Sequence, residues 1–553
     1  MQSSRKVSAL AVASVAALVL SGCAESKRDE SGTSGSSGST SNATMTFAAA
    51  GAPKTFDPFY ATDGESFRPA RQMFEGLVDF KPGTADLTPG LATSWNPSSD
   101  GKTWTFKLRT GVKFSDGTPF NADAVCKNFE RMDKQNEAGQ TAASYWNDNM
   151  GGFNKSKTDL YQGCTAKGED SVELKLLRPT SKFPALLGLP AWSMQSPTAL
   201  EKYKANDVKA QGDGITQSEY ASKYPTGTGP FKFESYDVQN KTVTLVRNDD
   251  YHGEKAKVAK LVFKIIPDGT SRKQALLAGD VDGYDLPNPV DWASLKSAGM
   301  NLMVRPAFNI LYLGLNPTKN PALKDLKVRQ ALYYAINRDQ LVKTQLPEGA
   351  TVATQWYPKT VDGYSDAVQQ YKYDPEKAKS LLKEAGQSNL SIDLWYPSEV
   401  TRPYMPDPQK IFQAVKADWE KVGVKVNTVT KPWAGGYTDG TSNGASPAFS
   451  IGWTGDYNTP DNFLANFFIG KQMGVTSYPW GAQLQKEITD ADSIVDAGQR
   501  TAAYKKLSEK LMKDYMPGLP ISNSPPAIVF GKNISGIVAS PLTAEDFSTA
   551  VKK

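Results

Sequence analysis

Between residues 374 and 453 the spacing of apolar side chains switches repeatedly between helical and strand periods, and this alternation restricts the fold more than any other feature of the chain. Asp374 stands where a helix N-cap belongs, with Pro375 at the first helical position and Gly386 where a C-terminal glycine would end the helix. Between them Ala378, Leu381, Leu382 and Ala385 fall on one face. Residues 391–396 (SIDLWY) then read as a strand. A helix follows over 408–422, its stripe built from Ile411, Phe412, Val415 and Trp419 and closed by Gly423; Val424 and Val426 resume a strand. Strand, helix, strand in this order is a βαβ unit, which predicts an α/β fold with a parallel sheet. Residues 448–453 (AFSIGW) add a further buried strand. In open parallel sheets the ligand crevice lies beyond the carboxyl ends of the strands. The loops expected there, 397–408 and 454–460, carry Arg402 and Asp456. The earlier part of the chain shows hairpin signals instead, with 104–108 (WTFKL) alternating between the turns Asp100-Gly101 and Asp116-Gly117.

With 553 residues, 39% of them hydrophobic, the chain can build about three to four domain-sized units. A net charge of +5, spread along the whole chain, argues against a dedicated nucleic-acid binder. One histidine, His252, and three cysteines starve most metal sites and most Ser–His or Cys–His catalytic arrangements, so no metal, cofactor or catalytic residue is expected. Carboxylate chemistry stays open. Gly440-Thr441-Ser442-Asn443-Gly444 matches a nucleophile-elbow pattern literally, but no strand feeds it and the sole histidine is remote; it reads as loop.

The first segment is an address. Arg5 and Lys6 precede an uncharged apolar run over 7–20, which at ~1.5 Å per residue falls short of a ~30 Å hydrocarbon core. It reads as a secretory signal, residues 1–22. Leu20-Ser21-Gly22-Cys23 resembles the lipobox of bacterial lipoproteins, which implies acylation of Cys23; the alternative is an ordinary signal peptide that contains a cysteine. Residues 31–42 (SGTSGSSGSTSN) cannot bury enough apolar surface to fold, so 23–43 is expected to act as a flexible tether between lipid and body. The body then lies outside the cytoplasm, held at the outer face of the cytoplasmic membrane by its lipid anchor alone. In that oxidising compartment Cys126 and Cys164 read as a disulfide, two separately buried thiols being the alternative.

Segments 87–95 (LTPGLATSW), 100–120 (DGKTWTFKLRTGVKFSDGTPF), 227–233 (GTGPFKF) and 328–341 (VRQALYYAINRDQL) resemble the extracytoplasmic solute-binding proteins of peptide ABC transporters. Within 391–468, LWYPSEVTRPYMPDP, ADWEKVGVKV and GWTGDYNTPDNFLANFF resemble the dipeptide-binding branch of that family. The resemblance implies a two-lobe, type II periplasmic-binding-protein-like fold with a hinge between lobes. Lobe I would comprise 44–77, 223–305 and 521–553, an inserted subdomain 78–222, and lobe II 306–520. It implies that Arg402, with Tyr404 beside it, binds a peptide carboxylate, and that Asp456, with Trp453 beside it, binds the α-ammonium. The partners implied are a short peptide and a membrane permease, the protein itself being a monomer.

That chemistry suits the residues. A free peptide is a zwitterion, so enclosing it buries two charges that must both be paired. Arginine holds a carboxylate bidentately, and aspartate accepts from an ammonium. Trp395, Trp419 and Trp433 read as core aromatics, and His252 as a packed turn residue. The sequence departs from the dipeptide-binding pattern at Pro432-Trp433, where a Glu would precede the tryptophan, and after Phe468, where a cysteine pair is missing. Alternatives are the same fold binding longer peptides, haem or a metal chelate, an extracellular hydrolase acting through paired carboxylates, and a receptor or adhesin without transport.

Overall fold

The computed structural model describes residues 41–154, 159–211 and 214–553. The signal segment, Cys23 and the Ser/Gly stretch up to residue 40 lie outside the described residues. Three large sheets organise the rest. A seven-stranded sheet takes its strands in the order Phe231–Asp237, Thr242–Arg247, Lys260–Ile265, Thr44–Ala49, Gly283–Asp285, Ala527–Phe530 and Asn301–Val304. Side chains alternate across it: Met45, Phe47, Ile528 and Phe530 enter one apolar cluster, Ala48, Tyr284 and Val529 another on the opposite face. A four-stranded antiparallel sheet (Ala92–Pro97, Thr103–Leu108, Ser171–Leu176, Tyr161–Ala166) backs the helix Ala122–Asp133 and has its own core. A disulfide joins Cys126 of that helix to Cys164 of the edge strand, with Cα atoms 5.3 Å apart.

The third sheet runs in the order Thr351–Val352, Gly518–Asn523, Asn309–Leu315, Ala448–Thr454, Ser391–Ser398, Lys425–Pro432. The βαβ unit forms as the periodicity requires. Asp374 caps the helix Pro375–Glu384 through the Lys377 amide at 2.8 Å, and the helix Pro408–Lys421 connects two parallel strands. The sheet as a whole is mixed, however, and not parallel. Asn309–Leu315 runs antiparallel to both Ala448–Thr454 and Gly518–Asn523, because it enters from the seven-stranded sheet while its neighbours run back towards that sheet. Asn309 accordingly pairs with Thr454. The carboxyl ends of the parallel strands therefore lie along the edge where the chain arrives. All seven residues of the entering strand are buried.

The chain passes between the two large sheets twice, at 305–308 and at 524–526. The second passage lies a few residues beyond the expected limit at 520–521, because Gly518–Asn523 pairs with Asn309–Leu315 and Thr351–Val352 through to Asn523. A buried ion network stands beside both passages: Arg305 holds Glu545 bidentately at 2.7 and 3.0 Å and Asp285 at 2.7 Å, and Arg68 pairs with the same Asp285.

The four-stranded subdomain also meets the six-stranded body directly. Thr180 Oγ1 donates to Asp492 Oδ2 at 2.6 Å, and the amide and hydroxyl of Ser181 donate to Oδ1 of the same carboxylate at 3.1 and 2.9 Å. Lys182 pairs with Asp461 at 2.9 Å. Tyr457 inserts its ring into the subdomain's apolar cluster.

Candidate functional site

Arg402 sits on the loop after Ser391–Ser398. The loop doubles back tightly: the Arg402 amide donates to the Met405 carbonyl at 3.1 Å, and the Met405 amide returns to Arg402 at 3.0 Å. Tyr404 anchors it from below. Its ring packs on Gly452 of the strand Ala448–Thr454, where a Cβ would lie 2.4 Å from Tyr404 Cδ2 and 2.1 Å from the Ile310 carbonyl oxygen, so only glycine admits the ring. Expected beside Arg402 at the peptide carboxylate, Tyr404 is 5% exposed and belongs to the core under the loop.

The Arg402 guanidinium lies 4.2 Å from the ring centroid of Trp433, a cation–π contact. Trp433 follows Lys425–Pro432, the parallel neighbour of Ser391–Ser398, so adjacent strand ends deliver both partners. Trp433, read as a core aromatic, is half-buried: it packs against the core and stacks on Tyr437, and it also forms the floor for the guanidinium. Trp419 is a core residue as expected, its indole N–H donating to the Leu332 carbonyl at 2.9 Å. The Nε of Arg402 is buried without a hydrogen-bond partner, and among the described residues its guanidinium has no ion pair.

Asp456 follows Ala448–Thr454, which pairs in parallel with Ser391–Ser398 on its other side. Arg402 and Asp456 therefore emerge from one edge of one sheet, on neighbouring strands, without bonding to each other. Asp456 does not cap the helix Asp461–Phe468, which has no side-chain cap. Instead its amide donates to Asn462 Oδ1 at 2.8 Å, the atom that also accepts from Trp453 Nε1 at 3.2 Å. One carboxylate oxygen accepts from Tyr145 Oη at 3.2 Å. Burial pushes the Asp456 carboxyl up to about 6, opposed by Tyr145, Arg71 and Asn462.

Three residues that act on Asp456 escaped the sequence reading. Tyr145 lies on Ser144–Met150 in the inserted subdomain, Arg71 on Gly64–Met73 beside the seven-stranded sheet, and Asn462 in the first turn of the helix Asp461–Phe468. No local pattern marks the first two, which reach Asp456 only through the tertiary fold. His252 bonds Glu75 at 2.9 Å, and Ser442 ends the short helix Thr438–Ser442, exposed and without a histidine near it in sequence. Among the described residues no group of His, Cys, Asp and Glu could hold a metal ion, and no helix is long and apolar enough to cross a membrane.

Two α/β bodies joined by two passages, with charged loops along the facing edge, define a type II periplasmic-binding-protein fold, the form of extracytoplasmic solute receptors. The chain belongs to the bacterial extracellular solute-binding proteins, family 5, which it matches over residues 86–474. It is 35% identical to the dipeptide-binding protein of Escherichia coli K12, covering 91% of this chain and 94% of that one. It is 31% identical to heme-binding protein A of Haemophilus influenzae over 98% of each chain. Among solved structures, a dipeptide binding protein from Pseudoalteromonas sp. SM9913 in complex with Met-Leu matches with a TM-score of 0.78 at 25% identity, covering 92% of this chain and all of that one. The relatives are substrate-binding proteins of ABC transporters and not enzymes.

Proposed function

We propose that this protein captures di- or short oligopeptides between its two lobes and delivers them to a membrane permease, with Arg402 taking the peptide carboxylate and Asp456 the α-ammonium. The observation that carries this reading is the Arg402 guanidinium, fixed on Trp433 with a buried N–H unused and no ion pair. A cation so placed calls for an anion from outside the chain. Asp456, one strand away, supplies the opposite charge, and an extended peptide advances only ~3.3–3.6 Å per residue, so two fixed counter-charges would measure its length. Similarity to proteins named for dipeptide binding points the same way. Lipidation of Cys23 would keep the receptor beside its permease. The experiment is calorimetric titration with Leu-Leu, N-acetyl-Leu-Leu and Leu-Leu-amide. Only the free zwitterion should bind tightly, and equal retention of all three rejects the clamp.

Similarity to a haem-binding protein supports a second reading, an anionic solute without an ammonium group. Asp456 would then repel the ligand, and Asp456→Ala would strengthen binding where the peptide reading requires its loss.

A further inference from the structure

A second unpaired guanidinium stands beside Asp456. Arg71 lies one turn after Phe67 on the helix Gly64–Met73, and its guanidinium sits 5.5 Å from the Phe67 ring centroid. The same Phe67 ring meets Tyr145 edge-on at 5.6 Å, and Tyr145 donates to Asp456 at 3.2 Å. Three separate parts of the fold thus converge on one point.

The carboxylates around Arg71 are otherwise engaged. Glu545 is held by both arms of Arg305, Asp456 by Tyr145, and Asp285 by Arg68 and Arg305. Asp79 also feels Arg71, but it is exposed and more strongly influenced by Glu75 and Asp546. Among the described residues Arg71 makes no ion pair, and its one hydrogen bond, to the Thr543 carbonyl, is long at 3.4 Å. Burial lowers its pKa to about 10, Arg68 adding to the effect while Asp456 and Glu545 oppose it.

Resting on the peptide reading above, we infer that Arg71 makes the cleft selective for peptides whose first residue carries an acidic side chain. A neutral dipeptide answers Arg402 and Asp456 and leaves Arg71 an enclosed cation without a partner, a costly state. Asp or Glu at the first position sets a second carboxylate one side-chain length from the ammonium, where a charge-assisted fork can hold it. The bound complex then contains two cation–carboxylate pairs in addition to the ammonium–Asp456 pair.

Calorimetric titration at neutral pH with Glu-Leu, Gln-Leu and Leu-Glu tests this. Glu-Leu should bind at least about tenfold tighter than its isostere Gln-Leu, with no such gain for Leu-Glu, whose extra carboxylate lies at the far end. Arg71→Leu should abolish the Glu-over-Gln preference, read as the ratio of the two affinities in the same variant, and Arg71→Lys should retain part of it. Equal binding of Glu-Leu and Gln-Leu by the unmodified protein overturns the inference and leaves the peptide reading standing. Failure of all three dipeptides to bind overturns both.

Discussion

Asp456 holds its charge in unfavourable surroundings, and under the proposed clamp this would set a pH window for binding. With its carboxyl raised to about 6, the side chain is ionised above that value and increasingly neutral below it. Affinity for a free dipeptide should therefore fall as pH drops through 6, by up to about tenfold per unit. For folding the sign is opposite: the native state binds this proton more tightly than the unfolded chain, so Asp456 adds stability as pH falls from 6 towards 4. Asp456→Asn should weaken dipeptide binding at neutral pH and flatten the profile, both measurable by calorimetry at successive pH values. Gly452 is the other decisive single position. Gly452→Ala drives a methyl into the Ile310 carbonyl and the Tyr404 ring, and should cost about 1–3 kcal/mol in denaturant unfolding while displacing Arg402.

At the scale of elements, the helix Ala122–Asp133 is tied to the edge strand Tyr161–Ala166 by a disulfide spanning 38 residues of sequence. Replacing Cys126 and Cys164 with Ser should lower stability by about 2–4 kcal/mol, seen as an earlier denaturation midpoint. The same scale shows what the sequence could reveal. The helices Pro375–Glu384 and Pro408–Lys421 and the strands around them were legible because caps, prolines and a clean apolar stripe all agree locally. The placement of Arg402 and Asp456 on loops at one sheet edge was legible because each follows such a strand. Strand direction was not: the antiparallel entry of Asn309–Leu315 depends on where the chain comes from, which periodicity does not record. Arg71 and Tyr145 were hidden for a related reason, since 385 and 311 residues respectively separate them from Asp456 and only packing unites them. The cation contact of Trp433 was hidden because an aromatic that also supports a cation has the same sequence signature as one that only packs on a core.

For the molecule as a whole, two buried polar assemblies govern how the bodies are held. Burial works against charge on Asp285, yet Arg305 and Arg68 hold its carboxyl far below the usual carboxylate range. Its contribution is therefore complete above the unfolded-state value near pH 4 and is lost as pH falls towards the depressed native one. Asp285→Asn leaves two enclosed guanidinium groups short of a partner and should cost about 3–5 kcal/mol, with the deficit shrinking in strong acid. Asp492, gripped by Thr180 and Ser181, acts between the subdomain and the six-stranded body. If the lobes close by hinge motion, Asp492→Ala should favour the open form, and small-angle scattering of the unliganded protein should report a larger radius of gyration; an unchanged curve would count against that role.

The seven-stranded sheet places Ala527–Phe530 between Gly283–Asp285 and the edge strand Asn301–Val304. A ribosome must therefore have polymerised the chain as far as Phe530 before Asn301–Val304 can join that sheet, although the sheet's first strand begins at Thr44. Until then the strands on either side expose raw hydrogen-bonding edges, so the nascent polypeptide remains incompletely folded through most of its synthesis, a state compatible with threading through an export channel.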